Sequence, residues 1–62
     1  MTVAEKLVMA RGKTSRNEVA EAVGITLSAI SNYENGQRMP RDEIKVKLAN
    51  YYGMTVQELF FE

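Results

Sequence analysis

Apolar residues recur along the chain at the spacing of short helices. Val3, Leu7 and Ala10 stand at positions i, i+4 and i+7, which places them on one face of a helix over residues 3–11. Gly12 follows directly and would end that helix. The N-terminal segment is therefore predicted to be one short amphipathic helix.

A second helix is predicted from the residues at its two ends. Ser15 and Glu18 form an S-x-x-E capping box, in which the two side chains satisfy backbone amides of the first turn reciprocally. The helix should then run over residues 16–23 and end at Gly24, which can adopt the left-handed conformation that closes a helix.

A third helix should begin after Thr26, whose hydroxyl can accept hydrogen bonds from the free amides of a first turn. It would continue through Glu34, until Asn35 and Gly36 permit a positive backbone angle. Pro40 lies beyond that turn, at a position suited to the start of another helix.

The C-terminal third predicts two more helices. The fourth would cover residues 41–52 and end at Gly53, with an apolar stripe formed by Ile44, Leu48, Tyr51 and Tyr52. Thr55 and Glu58 make a T-x-x-E capping box that opens a last short helix. The apolar residues of this last helix are Val56, Leu59, Phe60 and Phe61.

The strongest functional signal is the spacing of Ala20, Gly24 and Ile30 within residues 16–35. Ala20 must be small because a second helix passes over it, and Gly24 supplies the tight turn between the two helices. The apolar faces that would hold the pair together are Val19, Val23, Ile25, Ile30 and Tyr33. Such a pair presents its second helix to the major groove of DNA.

Composition predicts a small intracellular module and argues against most enzymes. A chain of 62 residues has room for one domain, over residues 1–62. It contains no Cys and no His, so disulfides, Cys-based metal sites and Ser-His or Cys-His catalytic pairs are excluded. The N-terminal stretch is too short and too charged for a signal peptide or membrane span. We therefore expect a cytoplasmic protein without metal, cofactor, small-molecule ligand or membrane partner.

The net charge of the chain argues against DNA binding, but the distribution of its charged residues does not. Eight Lys and Arg balance eight Asp and Glu, whereas DNA-binding domains are usually basic. Residues 26–33 carry no charge, and cations flank them on both sides: Arg11, Lys13 and Arg16 before, Arg38 and Arg41 after. These cations could lie near phosphates on either side of a groove. Scattered solvated charge is the alternative.

Taken in order, the motifs resemble a known family over nearly the whole chain. The residues that carry the resemblance are Ala20, Gly24 and Ile30, the E-N-G turn at 34–36 with Pro40 after it, and the ending G-M-T-V-Q-E-L-F-F at 53–61. The chain resembles the lambda-repressor/Cro-like helix-turn-helix domains of the Xre family. The resemblance implies a compact all-α fold of five helices, in which helices two and three form the helix-turn-helix. The loop over residues 11–16 is shorter than in many relatives.

The resemblance makes helix three the recognition helix. The positions that reach base edges in the family match Thr26, Leu27, Ser28 and Asn32. Relatives often have Gln or Arg where this chain has Leu27 and Ser28. Leu27 would read a thymine methyl by apolar contact, because it cannot hydrogen-bond a base. The alternatives are a core leucine at position 27 and a polar surface that faces only solvent.

Backbone contacts and one structural pair also follow from the resemblance. Phosphate contacts match Arg16, Asn35, Gln37 and Arg38, with Lys13 and Arg41 as looser candidates. Arg11 and Glu34 match an ion pair that braces helix one against the end of the recognition helix. Arg11 as a phosphate ligand is the competing interpretation.

The end of the chain predicts assembly. Phe60 and Phe61 are adjacent on a short helix, so both cannot point inward, and at least one should be exposed in a monomer. We expect them to form a homodimer interface that places two recognition helices about 34 Å apart on a palindrome. A terminal aromatic folded back on Tyr51 and Tyr52 is the alternative.

The predicted function is a sequence-specific transcriptional regulator that binds double-stranded DNA, most like a phage- or mobile-element-type repressor. A protein-interaction module of the same fold, such as an antitoxin or anti-repressor component, is the alternative that zero net charge favours. An enzyme is not expected. Asp42 and Glu43 are the only adjacent acid pair, and their place at a helix start is explained by the helix dipole.

Overall fold

The computed structural model describes residues 1–61, and these form five helices without a strand. In chain order the helices are α1 (Val3–Arg11), α2 (Arg16–Val23), α3 (Leu27–Glu34), α4 (Asp42–Tyr52) and α5 (Val56–Phe60). The predicted five-helix all-α fold is confirmed. α4 begins one residue later than predicted because Arg41 occupies the extended capping position, and α5 ends before Phe61, which is also extended.

Side-chain caps determine where most of the helices begin. Thr55 and Glu58 form the predicted reciprocal box, with bonds of 3.0 and 2.8 Å. The box predicted at Ser15 is only half formed: Ser15 Oγ accepts from the Glu18 amide at 3.1 Å, but within residues 1–61 no return bond joins the Glu18 carboxylate to Ser15. A complete box at the start of α1, between Thr2 and Glu5, has the same T-x-x-E spacing and was missed.

The junction between α2 and α3 has the predicted tight geometry. Gly24 adopts a left-handed conformation with φ 81° and ψ 36°. The Ala20 carbonyl accepts hydrogen bonds from the amides of both Gly24 (2.8 Å) and Ile25 (2.9 Å), which closes α2 and turns the chain at once. Ala20 itself is buried, so the small side chain lies where the two helices approach each other.

The five helices pack as a closed ring around one core. α1 contacts α3 and α5, α2 contacts α3 and α4, and α4 contacts α5. Every helix contributes buried apolar side chains, which are Leu7, Val19, Ala20, Val23, Ile30, Leu48, Ala49, Leu59 and Phe60. On α3, Ile30 and Glu34 are buried while Leu27 and Ser28 are exposed, so one side of the helix packs in the core and the start of its other side is accessible.

Two aromatic assignments are corrected by the structure. Phe60 is 4% exposed and belongs to the core, so it is not available for a dimer contact, whereas Phe61 is 59% exposed. Phe60 also lies 5.8 Å below the ammonium of Lys45. Tyr51 was predicted on the apolar stripe of α4 but is exposed, and Ala49 takes the buried position instead. Hydrophobic periodicity cannot tell which of two adjacent aromatic residues is buried when both lie near the edge of the apolar face.

Candidate nucleic-acid interface

The outer face of α3 begins with exposed side chains. Thr26 and Ser28 are exposed, Leu27 is 46% exposed, and Asn32 one turn later is half-buried. Ile30, on the opposite face, is buried in the core. Leu27 is therefore not a core leucine, and the four positions predicted to reach bases begin on the accessible side of the helix.

Thr26 is the N-cap of α3 as well as a predicted base-contact residue. Its side-chain oxygen accepts from the Ala29 amide at 3.0 Å, and its backbone is extended. The hydroxyl oxygen accepts this bond, and the hydroxyl proton remains free to donate a second one. Thr26 can therefore donate to an acceptor on DNA without giving up the cap.

The segment after α3 uses its backbone amides to close the helix. The Asn32 carbonyl accepts from the amides of Gln37 (2.9 Å) and Arg38 (3.3 Å), and the Asn35 amide donates to the Ser31 carbonyl. Asn35, Gln37 and Arg38 all have exposed side chains. Any phosphate contact from this segment must therefore come from its side chains, since the amides already have protein partners.

A three-residue ionic cluster joins α1, α2 and α3. Arg11 donates to the Glu34 carboxylate through Nε (2.8 Å) and Nη2 (3.1 Å), and through Nη1 to the Thr14 carbonyl (3.0 Å). Arg16 donates through Nε to Glu34 Oε1 at 3.0 Å. The Glu34 side chain is only 3% exposed. The pair expected between Arg11 and Glu34 is thus present, with Arg16 as a third member.

The position of Arg16 differs from the expectation of a cation free to bind phosphate. Its side chain is 43% exposed, and the partner it has in the structure is Glu34. The short loop between α1 and α2 brings the first residue of α2 close to the end of α1, where Arg11 already holds the carboxylate. That short loop was visible in the sequence, but the bond from Arg16 to Glu34 was not.

Tyr52 of α4 lies half-buried near this cluster. Burial raises the pKa of Tyr52 from its ordinary 10.0 to about 12, and the nearby Glu34 carboxylate adds to the rise. The bonds from Arg11 to Glu34 raise the pKa of the Arg11 guanidinium above its usual value. Both shifts favour the forms present at neutral pH, which are the charged Arg11 guanidinium and the neutral Tyr52 phenol.

The remaining charged candidates are ordinary surface groups. Lys13 is exposed, and Arg41 lies 3.8 Å from Glu43 with both side chains largely exposed. Asp42 lies 3.9 Å from Lys45 on the first turn of α4. Within residues 1–61, no group of His, Cys, Asp or Glu is arranged to hold a metal ion, and no helix has the length and apolar character needed to cross a membrane.

A buried helix pair joined at a tight turn, with the outer face of its second helix exposed, defines a helix-turn-helix protein. A family model described as helix-turn-helix matches residues 3–59. The chain belongs to this family, whose Xre or lambda-repressor-like members are DNA-binding regulators. Neither the comparison with curated proteins nor that with solved structures gave a match.

Proposed function

We propose that this protein is a transcriptional repressor that recognises a palindromic operator as a homodimer and blocks a promoter by occupying it. Residues 1–62 would act as one DNA-binding domain in the cytoplasm. The observation that carries the proposal is the exposed, uncharged start of α3, with Leu27 and Ser28 projecting from a helix whose opposite face is packed. A major groove admits such a helix.

Base contacts are assigned to the four positions Thr26, Leu27, Ser28 and Asn32. Short side chains let the helix approach the floor of the groove closely, and Leu27 would contact a thymine methyl. Thr26 would donate to a base or phosphate acceptor while it keeps its cap bond. Specificity would then depend more on shape and methyl contacts than on long hydrogen-bonding side chains.

Phosphate contacts are assigned to both ends of the helix pair. Arg16 lies at the N-terminus of α2, and Asn35, Gln37 and Arg38 lie just past α3 with exposed side chains. Lys13 and Arg41 are exposed further candidates. If about three to five cations each neutralise one phosphate, the log-log slope of affinity against salt should be about −3 to −5 per monomer.

The dimer contact is now assigned to Phe61 without Phe60. Phe61 is exposed and extended directly after α5, and its carbonyl accepts from Lys6 Nζ of α1 at 2.7 Å. This bond ties the backbone at Phe61 to α1, so the exposed ring is presented from an anchored backbone. An exposed aromatic held in this way is suited to pack on the same residue of a second copy.

A gel-shift titration tests this proposal. DNA flanking the protein's own gene and random DNA of equal length are each titrated with protein across a range of salt concentrations. A repressor should bind one flanking fragment at least about 1000-fold more tightly than random DNA. Saturable binding that is no tighter than to random DNA at moderate salt would contradict the proposal.

A protein-interaction module of the same fold is the second candidate. It is favoured by the balance of eight cations and eight acids, because a DNA-binding domain usually has a net positive charge. In that case the uncharged face of α3 and Phe61 would contact a protein. The same titration separates the two candidates, since an interaction module should show only weak, sequence-independent binding to DNA.

A further inference from the structure

One carboxylate holds two arginines at the junction of α1, α2 and α3, and the two arginines are held differently. All three nitrogens of the Arg11 guanidinium have protein partners, in Glu34 and the Thr14 carbonyl. Arg16 is bonded to Glu34 through Nε, and no other partner for it occurs within the described chain. The edge of Arg16 formed by Nη1 and Nη2 therefore remains available for a ligand.

We infer that Glu34 is a positioning residue for DNA binding: by holding Nε of Arg16, it fixes the free guanidinium edge for a bidentate contact with a backbone phosphate. This inference rests on the proposed function. Glu34 ends α3, whereas Arg16 begins α2. The carboxylate thus links the phosphate contact on one helix to the end of the helix that reads bases.

Two features of the cluster support this role. Two guanidinium groups share one carboxylate, so the cluster carries one net positive charge. That excess is most accessible at Arg16, because Glu34 and Arg11 are the more buried members. A guanidinium whose orientation is already fixed loses less rotamer freedom when it binds phosphate, and its planar edge matches two phosphate oxygens.

The sign of the effect of Glu34→Gln separates positioning from simple electrostatics. Removal of a negative charge near DNA should tighten binding if only the net charge matters. If Glu34 positions Arg16, the same change should weaken binding by about 10-fold, the effect expected when a charge-assisted contact is lost. Fluorescence anisotropy with a labelled operator and with random DNA would measure both affinities at one salt concentration.

A double-mutant cycle with Arg16→Ala tests whether the effect passes through Arg16. Affinity is measured for the wild type, each single variant and the double variant. We expect Glu34→Gln to weaken binding in the wild-type background and to have little further effect when Arg16 is absent. An equal loss in both backgrounds would overturn the inference, because Glu34 would then act only through the fold.

Arg16→Lys keeps the test valid if Glu34→Gln fails to fold. A lysine cannot bond Glu34 and offer a planar edge to phosphate at once, and the pair of Arg11 with Glu34 is left intact. Lys47→Arg is the control, since Lys47 is exposed, is assigned no DNA contact, and within residues 1–61 forms no ion pair with a carboxylate. Arg16→Lys should lose about 10-fold in affinity while Lys47→Arg stays within about 2-fold; equal effects would contradict positioning.

The outcomes distinguish this inference from the proposed function. If the wild type does not prefer any DNA sequence, the repressor proposal fails and the inference fails with it. If the wild type is sequence-specific but Arg16→Ala binds as tightly as wild type, only the inference fails. Circular dichroism at the assay temperature confirms that each variant compared is folded.

Discussion

Leu27 is 46% exposed on the first turn of α3 and is not one of the buried core residues. Its sequence neighbours Thr26 and Ser28 are polar and exposed. An exposed apolar side chain of this kind can contact the methyl group of thymine in the major groove, and it cannot donate a hydrogen bond to any base. At the level of single residues, we propose that Leu27 distinguishes thymine by its methyl group, beside the hydrogen bonds that Ser28 and Asn32 would offer to bases.

Replacement of Leu27 by Ala should reduce affinity by about 1 to 3 kcal/mol at sites that carry thymine at one position, and much less at other sites. Arg16→Ala should weaken binding to all sequences alike, since phosphates carry no sequence information. The measurement is anisotropy with duplexes that differ from the operator by one base pair each. Equal losses on every duplex for both variants would refute the assignment of Leu27.

Tyr52 makes stability depend on pH in the alkaline range. Its folded pKa of about 12 lies above the ordinary 10.0, so the folded state binds the phenolic proton more tightly than the unfolded state does. The contribution of this proton to the free energy of unfolding is complete below pH 10 and is lost as the pH rises toward 12. The Tm of Tyr52→Phe should therefore fall less steeply over this pH range than the Tm of the wild type. Tyr51→Phe, on the exposed neighbouring ring, is the control and should decline as the wild type does.

The ends of the helices show how local chemistry determines each element. Thr2, Ser15, Thr26 and Thr55 all accept a hydrogen bond from the amide three residues later. The bonds satisfy amides that have no partner within their helix. Among the helices of residues 1–61, only α4 begins without a side-chain cap, at Arg41 directly after the buried Pro40. The boundaries therefore depend on hydroxyl side chains more than on hydrophobic periodicity.

Thr55→Ala removes the cap of α5 and should lower the free energy of unfolding by about 1 kcal/mol, within a range of about 0.5 to 2. α5 is short and contributes Leu59 and Phe60 to the core, so loss of its first turn should destabilise the whole fold. Ser28→Ala, an exposed hydroxyl with no hydrogen bond in the described structure, should change stability by less than about 0.5 kcal/mol. Urea denaturation followed by circular dichroism compares the two, and equal stability of both variants would contradict the role of the cap.

These local rules explain what the sequence could and could not predict. The bounds of α1, α2 and α3 follow from residues in or next to each helix, such as the capping residues Ser15 and Gly24, and could be predicted. The bond between Arg16 and Glu34 joins residues on different helices, and nothing local to either residue indicates it. The same holds for the burial of Phe60, because the direction of an aromatic at the end of a short helix depends on packing with α1 and α4.

The whole molecule is small relative to the DNA it would read. Its extents are 25 × 23 × 21 Å, less than the roughly 34 Å that separates successive major grooves on one face of DNA. One copy can therefore place a recognition helix in one groove segment only. The proposed palindromic operator would therefore engage a second copy, and the exposed Phe61 is the surface that we assign to that contact.

Phe60 and Phe61 give a matched pair for testing this assignment. Phe61→Ala should weaken self-association and operator binding while leaving the stability of the monomer nearly unchanged, because the ring is exposed. Phe60→Ala should instead destabilise the fold by about 3 to 5 kcal/mol, the usual loss for a buried aromatic. Sedimentation velocity over a range of concentrations measures the first effect and thermal melting the second. If Phe61→Ala associates as the wild type does, the dimer interface does not include Phe61.

We propose that the outer face of α3 reads a DNA sequence. Selection of bound duplexes from a random pool at moderate salt, followed by sequencing, is the decisive experiment. We predict enrichment of one palindromic motif whose half-sites lie about one helical turn apart, with a thymine at the position that Leu27 contacts. A bound pool with the same base composition as the starting pool would contradict this proposal.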